Sequence, residues 1–219
     1  MENKIYGGLT YTPKDLYEAG MVREAASAYN IPKKQGEFTI EDYYNIPDEI
    51  RVELIDGVIY DMSTPAHIHQ LIAMEIYDVI KAYIKKKKGE CIVHASPMDV
   101  QLDCDNRTMV QPDVQVICDR NKLRKRSVYG APDFVAEVLS PSTRKKDISI
   151  KLYKYENAGV SEYWIVDPDK KRVHVYQFEK EELPVMYTFE DKIPVGIFGD
   201  ECVVDFAEVY DYVRFLYEE

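Results

Sequence analysis

Apolar residues recur along this chain at two spacings, and the changes between them mark its elements. From about Pro65 to Lys87, the residues Ile68, Leu71, Ile72, Ile76, Val79, Ile80 and Tyr83 fall at helical intervals, and Gly89 ends the run. Upstream, a short helix starts at Thr39 and stops before Pro47, whose ring cannot continue it. Residues 52–60 predict two strands joined by Asp56-Gly57, a pair that tolerates the positive φ of a tight hairpin turn. Strand-like runs follow at 91–94, 98–102, 114–118, 134–139, 162–166, 172–178, 185–189 and 203–206, and a helix over 144–158 interrupts the series. This mixture predicts an α/β fold, a mixed central β-sheet flanked by helices rather than a strictly alternating doubly wound one. Residues 1–34 form an N-terminal extension with a helix start at Thr12-Pro13-Lys14-Asp15, and residues 35–219 form the main domain.

Two positions break the apolar pattern. Asp113 enters its strand just after Pro112, ahead of the alternating Val114, Val116 and Cys118. In the next run Phe134, Ala136 and Val138 share one face, while Val135, Glu137 and Leu139 share the other. Both faces are apolar, so that strand is central and Glu137 is submerged. A buried carboxylate is costly unless it is paired, protonated or bound to metal. On the following helix, Ile148, Leu152 and Tyr155 define an apolar stripe toward the sheet. Lys151 borders that stripe, roughly 40° from Tyr155 at the 3.6-residue turn. Lys145 is a second choice in the first turn, and Lys146 and Lys154 point further away. Two acids on neighbouring strands with a lysine beside them suit a divalent-metal phosphodiesterase centre.

Composition narrows the setting. The chain has 219 residues, enough for a substantial core, and its apolar runs are too short to span a bilayer. Its first residues lack the apolar stretch of a signal peptide, which argues for the cytoplasm. Cys91, Cys104, Cys118 and Cys202 include no C-x-x-C pair, so free buried thiols are expected. The net charge of −11 counts against an indiscriminate nucleic-acid binder. Positive charge nevertheless clusters at 85–88, 120–126 and 144–146, and two of these three runs flank the candidate site, predicting a local basic rim.

Taken together, Pro112-Asp113, the string Glu137-Val138-Leu139-Ser140-Pro141-Ser142-Thr143, then Asp147, Lys151, Tyr155 and residues 159–168 resemble the family called Uma-type putative restriction endonucleases, within the PD-(D/E)XK nuclease superfamily. Residues 53–57 and His69-Gln70 match its upstream pattern, and the resemblance covers roughly residues 37–210. It implies a restriction-endonuclease-like fold, dependence on Mg²⁺ with Mn²⁺ as a substitute, DNA as substrate and frequent homodimers. By position it implies Asp113 and Glu137 as metal ligands, the Val138 carbonyl as a further ligand and Glu53 as the upstream acid. The position two after Glu137 is Leu139 rather than the usual lysine, and Lys151 occupies the place of a lysine moved to the next helix.

Plainer explanations stand beside these. Asp113 could cap a turn, Asp133 reads as a turn residue at the start of its strand, and Asp56 is explained by its hairpin. Glu137 could be a buried salt-bridge partner of Lys151, which predicts the same proximity without a metal. Glu53 could pair with a surface lysine. His67 and His69 do not face each other on a helix, and His69 is structural or substrate-facing. Tyr155 and Trp164 read as core. The expected function is a Mg²⁺-dependent DNA endonuclease; the competing one is a nuclease-fold protein that binds nucleic acid or a partner protein without cutting.

Overall fold

The structure, a computed structural model, describes residues 33–141, 144–180 and 183–218. The helix expected near Pro13 and nearly all of the extension lie outside the described residues, as do Ser142 and Thr143. The chain divides into two compact units. The smaller holds the described residues up to Met62 together with Asp105–Val110; the larger holds Ser63–Cys104 and everything from Gln111 onward.

In the smaller unit, α1 (Ile40–Asn45) starts where Thr39 and Asp42 cap each other: the Thr39 side chain accepts from the Asp42 N–H, and the Asp42 carboxylate accepts from the Thr39 N–H at 2.7 Å. Strands β1 (Val52–Ile55) and β2 (Val58–Asp61) pair antiparallel around the expected hairpin. Asp56 and Gly57 take φ of 51° and 81°, as that turn requires. A Cβ at Gly57 would meet the Gly36 carbonyl oxygen at 2.7 Å, so the position is closed to any side chain. Leu54 and Met109 exchange backbone hydrogen bonds, and Phe38, Val52, Leu54, Ile59 and Met109 form the unit's core.

In the larger unit, α2 (His67–Lys87) starts two residues later than expected and packs Ile72, Ile76 and Ile80 into the core. The other elements are β3 (Ile92–Ala95), β4 (Asp99–Gln101), β5 (Val114–Ile117), β6 (Ser127–Tyr129), β7 (Phe134–Val138), helix α3 over residues 144–158, β8 (Glu162–Asp167), β9 (Arg172–Gln177), β10 (Val185–Thr188), β11 (Lys192–Val195), β12 (Cys202–Asp205) and α4 (Phe206–Val213). Six strands form a mixed sheet in the order β10-β9-β8-β7-β5-β3, in which only β7 and β8 run parallel. Parallel neighbours need a crossover, and α3 supplies it. One sheet face, carrying Val114, Val116, Phe134, Ala136, Val138, Trp164 and Val166, packs with α2 and α4. The mixed α/β architecture is the one that the hydrophobic pattern predicts, with β7 buried along its whole length.

Three features depart from expectation. Strands β6 and β11 and helix α4 were not anticipated: β6 is three residues long, and β11 carries Pro194, an unfavourable residue for a strand interior. Cys91 and Cys118 form a disulfide, against the expectation of free thiols; among the described residues Cys104 and Cys202 are free, and only Cys202 is buried. The register of β3 on β5, with Ile92 opposite Ile117, sets the two bonded cysteines opposite each other one step further on, which spacing in sequence cannot reveal. The apolar stripe on α3 is also displaced: Ile148 is exposed, while Lys146, Asp147, Lys151, Lys154 and Tyr155 are buried. The turn Asp147–Lys151 is a π-helix, whose wider winding rotates later residues away from their positions at 100° each. No helix among the described residues is long and apolar enough to cross a membrane.

At the start of β8, Glu162 is buried and accepts from Trp164 Nε1 at 2.6 Å and from the Ile197 N–H at 3.0 Å. Burial outweighs those hydrogen bonds and pushes its carboxyl up to about 7. A raised acid binds its proton more tightly in the folded state, so this group's contribution to stability is complete below the ordinary glutamate range and is lost as pH rises toward 7. Glu162→Gln should therefore flatten the stability profile between about pH 5 and 7. Urea midpoints across that range test it, and a wild-type profile that is flat or rises there would contradict the reading.

Candidate active site

Antiparallel pairing of β5 with β7 sets Val114 opposite Ala136, so one step outward Asp113 meets Glu137. The two residues are laced together through backbone groups. The Val138 N–H donates to Asp113 Oδ2 at 2.8 Å, and the Asp113 N–H lies 3.4 Å from Glu137 Oε2. Glu137 is 3% exposed, which makes its partners decisive. Lys151 Nζ donates to its Oε1 at 2.8 Å and the Tyr155 hydroxyl donates to the same oxygen at 2.7 Å. Lys151 and Tyr155 are four residues apart on α3, the spacing that stacks side chains on one helical face. Asp147, one turn earlier, places Oδ1 3.6 Å from Lys151 Nζ.

The structure thus brings Asp113, Glu137, Lys151 and the Val138 backbone into one place. Glu53 lies on β1 of the smaller unit, fully buried and opposite Tyr60 in the hairpin. Burial, with Asp56 and Glu53 adding to it, pushes the Tyr60 phenol up to about 12. Asp133 behaves as a structural residue, accepting from the Cys118 N–H at 2.8 Å.

Two further side chains, His69 and Tyr155, belong to the larger unit's site. His69 Nε2 lies 3.0 Å from Asp113 Oδ2. Burial opposes a charge on this imidazole, but the hydrogen bond and charge of Asp113, then Asp147 and the Val138 carbonyl, outweigh it and raise its pKa. The ring's Nδ1 is buried without a hydrogen-bond partner among the described residues. Tyr155, expected only as core, holds the central carboxylate; its position one turn beyond Lys151 was the available signal. Lys154 is buried as well, its ammonium bonded to Asp103.

The basic runs are placed differently from expectation. Residues 120–126 follow the far end of β5 from Asp113, so this run does not rim the site. In the third run, Arg144 is taken up by Asp167 and Asp169 at 2.5 and 2.8 Å, and Lys146 is buried. Of the third run, Lys145 alone is exposed among the described residues.

A hard divalent cation suits the donors present. Asp113 and Glu137 offer carboxylate oxygens on adjoining positions of neighbouring strands, where the Val138 N–H already bonds Asp113 Oδ2. Among the described residues no three His, Cys, Asp or Glu side chains already converge as an ion-ready group. Mg²⁺ needs only one or two direct carboxylates, with water completing its shell, so the set fits that ion better than a fully protein-caged one.

The Glu137–Lys151 pair also has a structural consequence. Removing one member leaves the other buried and charged, so Lys151→Met should cost about 3 kcal/mol in urea unfolding. The double variant Glu137→Gln/Lys151→Met should lose clearly less than the two single losses combined. Strict additivity would show that the two charges do not sense each other.

Known proteins resemble this chain in sequence and in fold. An uncharacterized protein of the cyanobacterium Synechocystis is 26% identical over 156 residues, covering 70% of this chain and 80% of its own length. The crystal structure of a protein from Anabaena variabilis, described as "a putative nuclease belonging to DUF820", superposes with a TM-score of 0.68. It is 20% identical, and the match covers 80% of this chain and 99% of that one. The Uma2 family, described as "Putative restriction endonuclease", matches residues 40–197. With well over half of its length matched, the chain belongs to the Uma2 family of restriction-endonuclease-like proteins.

Proposed function

We propose that this protein is a divalent-metal-dependent endonuclease that hydrolyses phosphodiester bonds in DNA. The observation that carries this reading is the buried Glu137 carboxylate, whose two oxygens face different partners. Its Oε1 is held by Lys151 and Tyr155, while its Oε2 turns to Asp113 on the next strand. Asp113, Glu137 and the Val138 carbonyl are the groups that would hold the ion. When bound, Mg²⁺ supplies Lewis acidity at the phosphoryl oxygen and lowers the pKa of an attacking water. Tyr155 fixes the rotamer of Glu137, so the carboxylate presents one oxygen rather than averaging over two. Lys151 stands at the edge of that carboxylate with an ammonium able to orient the water or to balance charge on the phosphate. His69 fixes Asp113 Oδ2. Glu53 is assigned to the same reaction as an upstream acid on the family pattern alone. Cutting both strands of a duplex calls for two centres related by a two-fold axis, so the active form is a homodimer.

A second reading rests on a specific observation: Glu137 is already paired with a lysine, and no three-ligand cluster is assembled among the described residues. A nuclease-derived fold that binds nucleic acid or a partner protein without cutting would keep the same salt bridge for stability.

A plasmid cleavage assay with Mg²⁺, Mn²⁺ or EDTA separates the two. Cleavage should require the ion, and Asp113→Asn, Glu137→Gln and Lys151→Met should each reduce it by about 100-fold or more, the scale expected for groups acting on the transition state. Circular dichroism should show that each variant remains folded. No cutting by the folded wild type with either ion would favour the binding reading, and cutting that survives all three substitutions would remove these residues from the site.

A further inference from the structure

Two basic segments distant in sequence are fastened together at the end of the sheet remote from the candidate site. Lys85, Lys86, Lys87 and Lys88 close α2, and Arg120, Lys122, Arg124, Lys125 and Arg126 follow β5. The Cys91–Cys118 disulfide joins the two segments, Arg120 Nε donates to the Glu90 carbonyl at 2.8 Å, and β3 pairs with β5 alongside. Residues 85–91 and 118–126 hold nine lysines and arginines against two carboxylates, Glu90 and Asp119, in a chain whose net charge is −11. The rest of the chain is therefore strongly acidic, and this end is its opposite in sign.

Local stabilisation does not account for all of these cations. Lys87 pairs with Glu201 at 2.5 Å. Among the described residues Lys122 and Arg120 bond backbone carbonyls and no carboxylate, and the Arg124 guanidinium lies 5.4 Å from the Tyr129 ring centre. Lys85, Lys86, Lys88 and Lys125 are exposed and have no partner among the described residues. The last turn of α2 gains from cations near its C-terminal dipole, but that effect explains Lys85–Lys87 and not the loop after β5.

We infer that this fastened pair of basic segments is an anchoring surface for the phosphate backbone of duplex DNA, separate from the point of cleavage. The inference rests on the endonuclease reading above for its choice of polyanion. Its position supports that choice. From Asp113 to Cys118 the strand advances about 17 Å at about 3.4 Å per residue. Duplex DNA advances by a similar step per base pair, so phosphates held here lie about five base pairs from the bond at Asp113 when the duplex follows β5.

The test uses the full chain in EDTA with a fluorescently labelled duplex of about 30 base pairs, read by anisotropy from about 50 to 200 mM salt. One variant changes Lys85, Lys86, Lys88 and Lys125 to Gln. A charge-matched control changes Lys34, Lys170, Lys180 and Lys192 to Gln. The first should bind at least about tenfold more weakly at about 100 mM salt, with a log–log salt slope shallower by about two to four, and the control should change little. Equal affinities and slopes for wild type and patch variant would overturn the inference while leaving cleavage at Asp113 and Glu137 intact. Equal losses in patch variant and control would also overturn it, because net charge alone would then govern binding. Patch-dependent binding to phosphatidylserine vesicles without binding to DNA would reassign the surface to membranes and overturn it. Patch-dependent DNA binding by a protein that never cuts would support the surface and defeat the endonuclease reading instead.

Discussion

The fold is organised around a carboxylate that would be untenable alone. Glu137 lies on the central strand of a six-stranded sheet with apolar neighbours on both sides, where an isolated charge is strongly disfavoured. Its stability there depends on Lys151 and Tyr155, both delivered by α3. That delivery is itself a result of topology. Because β7 and β8 are parallel, the chain must cross over between them, and the crossover helix packs back onto the sheet. The π-helical turn Asp147–Lys151 then turns a polar stripe, not an apolar one, toward the strands. Backbone pairing, crossover and local winding therefore converge on one acid.

The salt bridge and the proposed metal site are compatible, because they use different oxygens of Glu137. Lys151 and Tyr155 use one oxygen of Glu137, and the other is turned toward Asp113. An ammonium on one side lowers the cost of keeping the carboxylate ionised. An ionised carboxylate is the form that a hard cation requires. The pairing that stabilises the fold is thus compatible with the proposed cation, which would meet the acid at its other oxygen, beside the Asp113 N–H. His69 plays a comparable part for Asp113, whose Oδ2 it approaches from the first turn of α2.

Much of this was legible in the residues and some was not. The hairpin at Asp56-Gly57, the long amphipathic helix and the burial of Glu137 follow from alternation and turn chemistry, because these are local; the meeting of Asp113 with Glu137 was expected from the family pattern and depends on the register of β5 on β7. Lys151 was legible as a neighbour of the sheet, but its companions were not. The expected stripe placed Ile148 inside and Lys154 outside, and the π turn reversed both. A single extra residue per turn leaves no mark in composition. The Cys91–Cys118 bond was hidden for a different reason: it depends on the register between β3 and β5, which a sequence separation of 27 does not specify. Tyr155 is in the core as expected, but its hydrogen bond to Glu137 was not foreseen, because a tyrosine among apolar residues packs as core and donates equally well.

The net charge of −11 looks unfavourable for an enzyme acting on a polyanion, yet charge acts over a limited range. In physiological salt the screening length is about 8 Å, so a phosphate senses the surface within reach rather than the sum over the molecule. The basic segments on either side of the Cys91–Cys118 bond are compact on that scale, and several of their cations are unpaired. On the proposal that this end anchors DNA, the acidic remainder acts as a filter that repels it from other orientations. Net charge limits how tightly such a protein holds nucleic acid at random, and the placement of its exceptions decides where that acid lies.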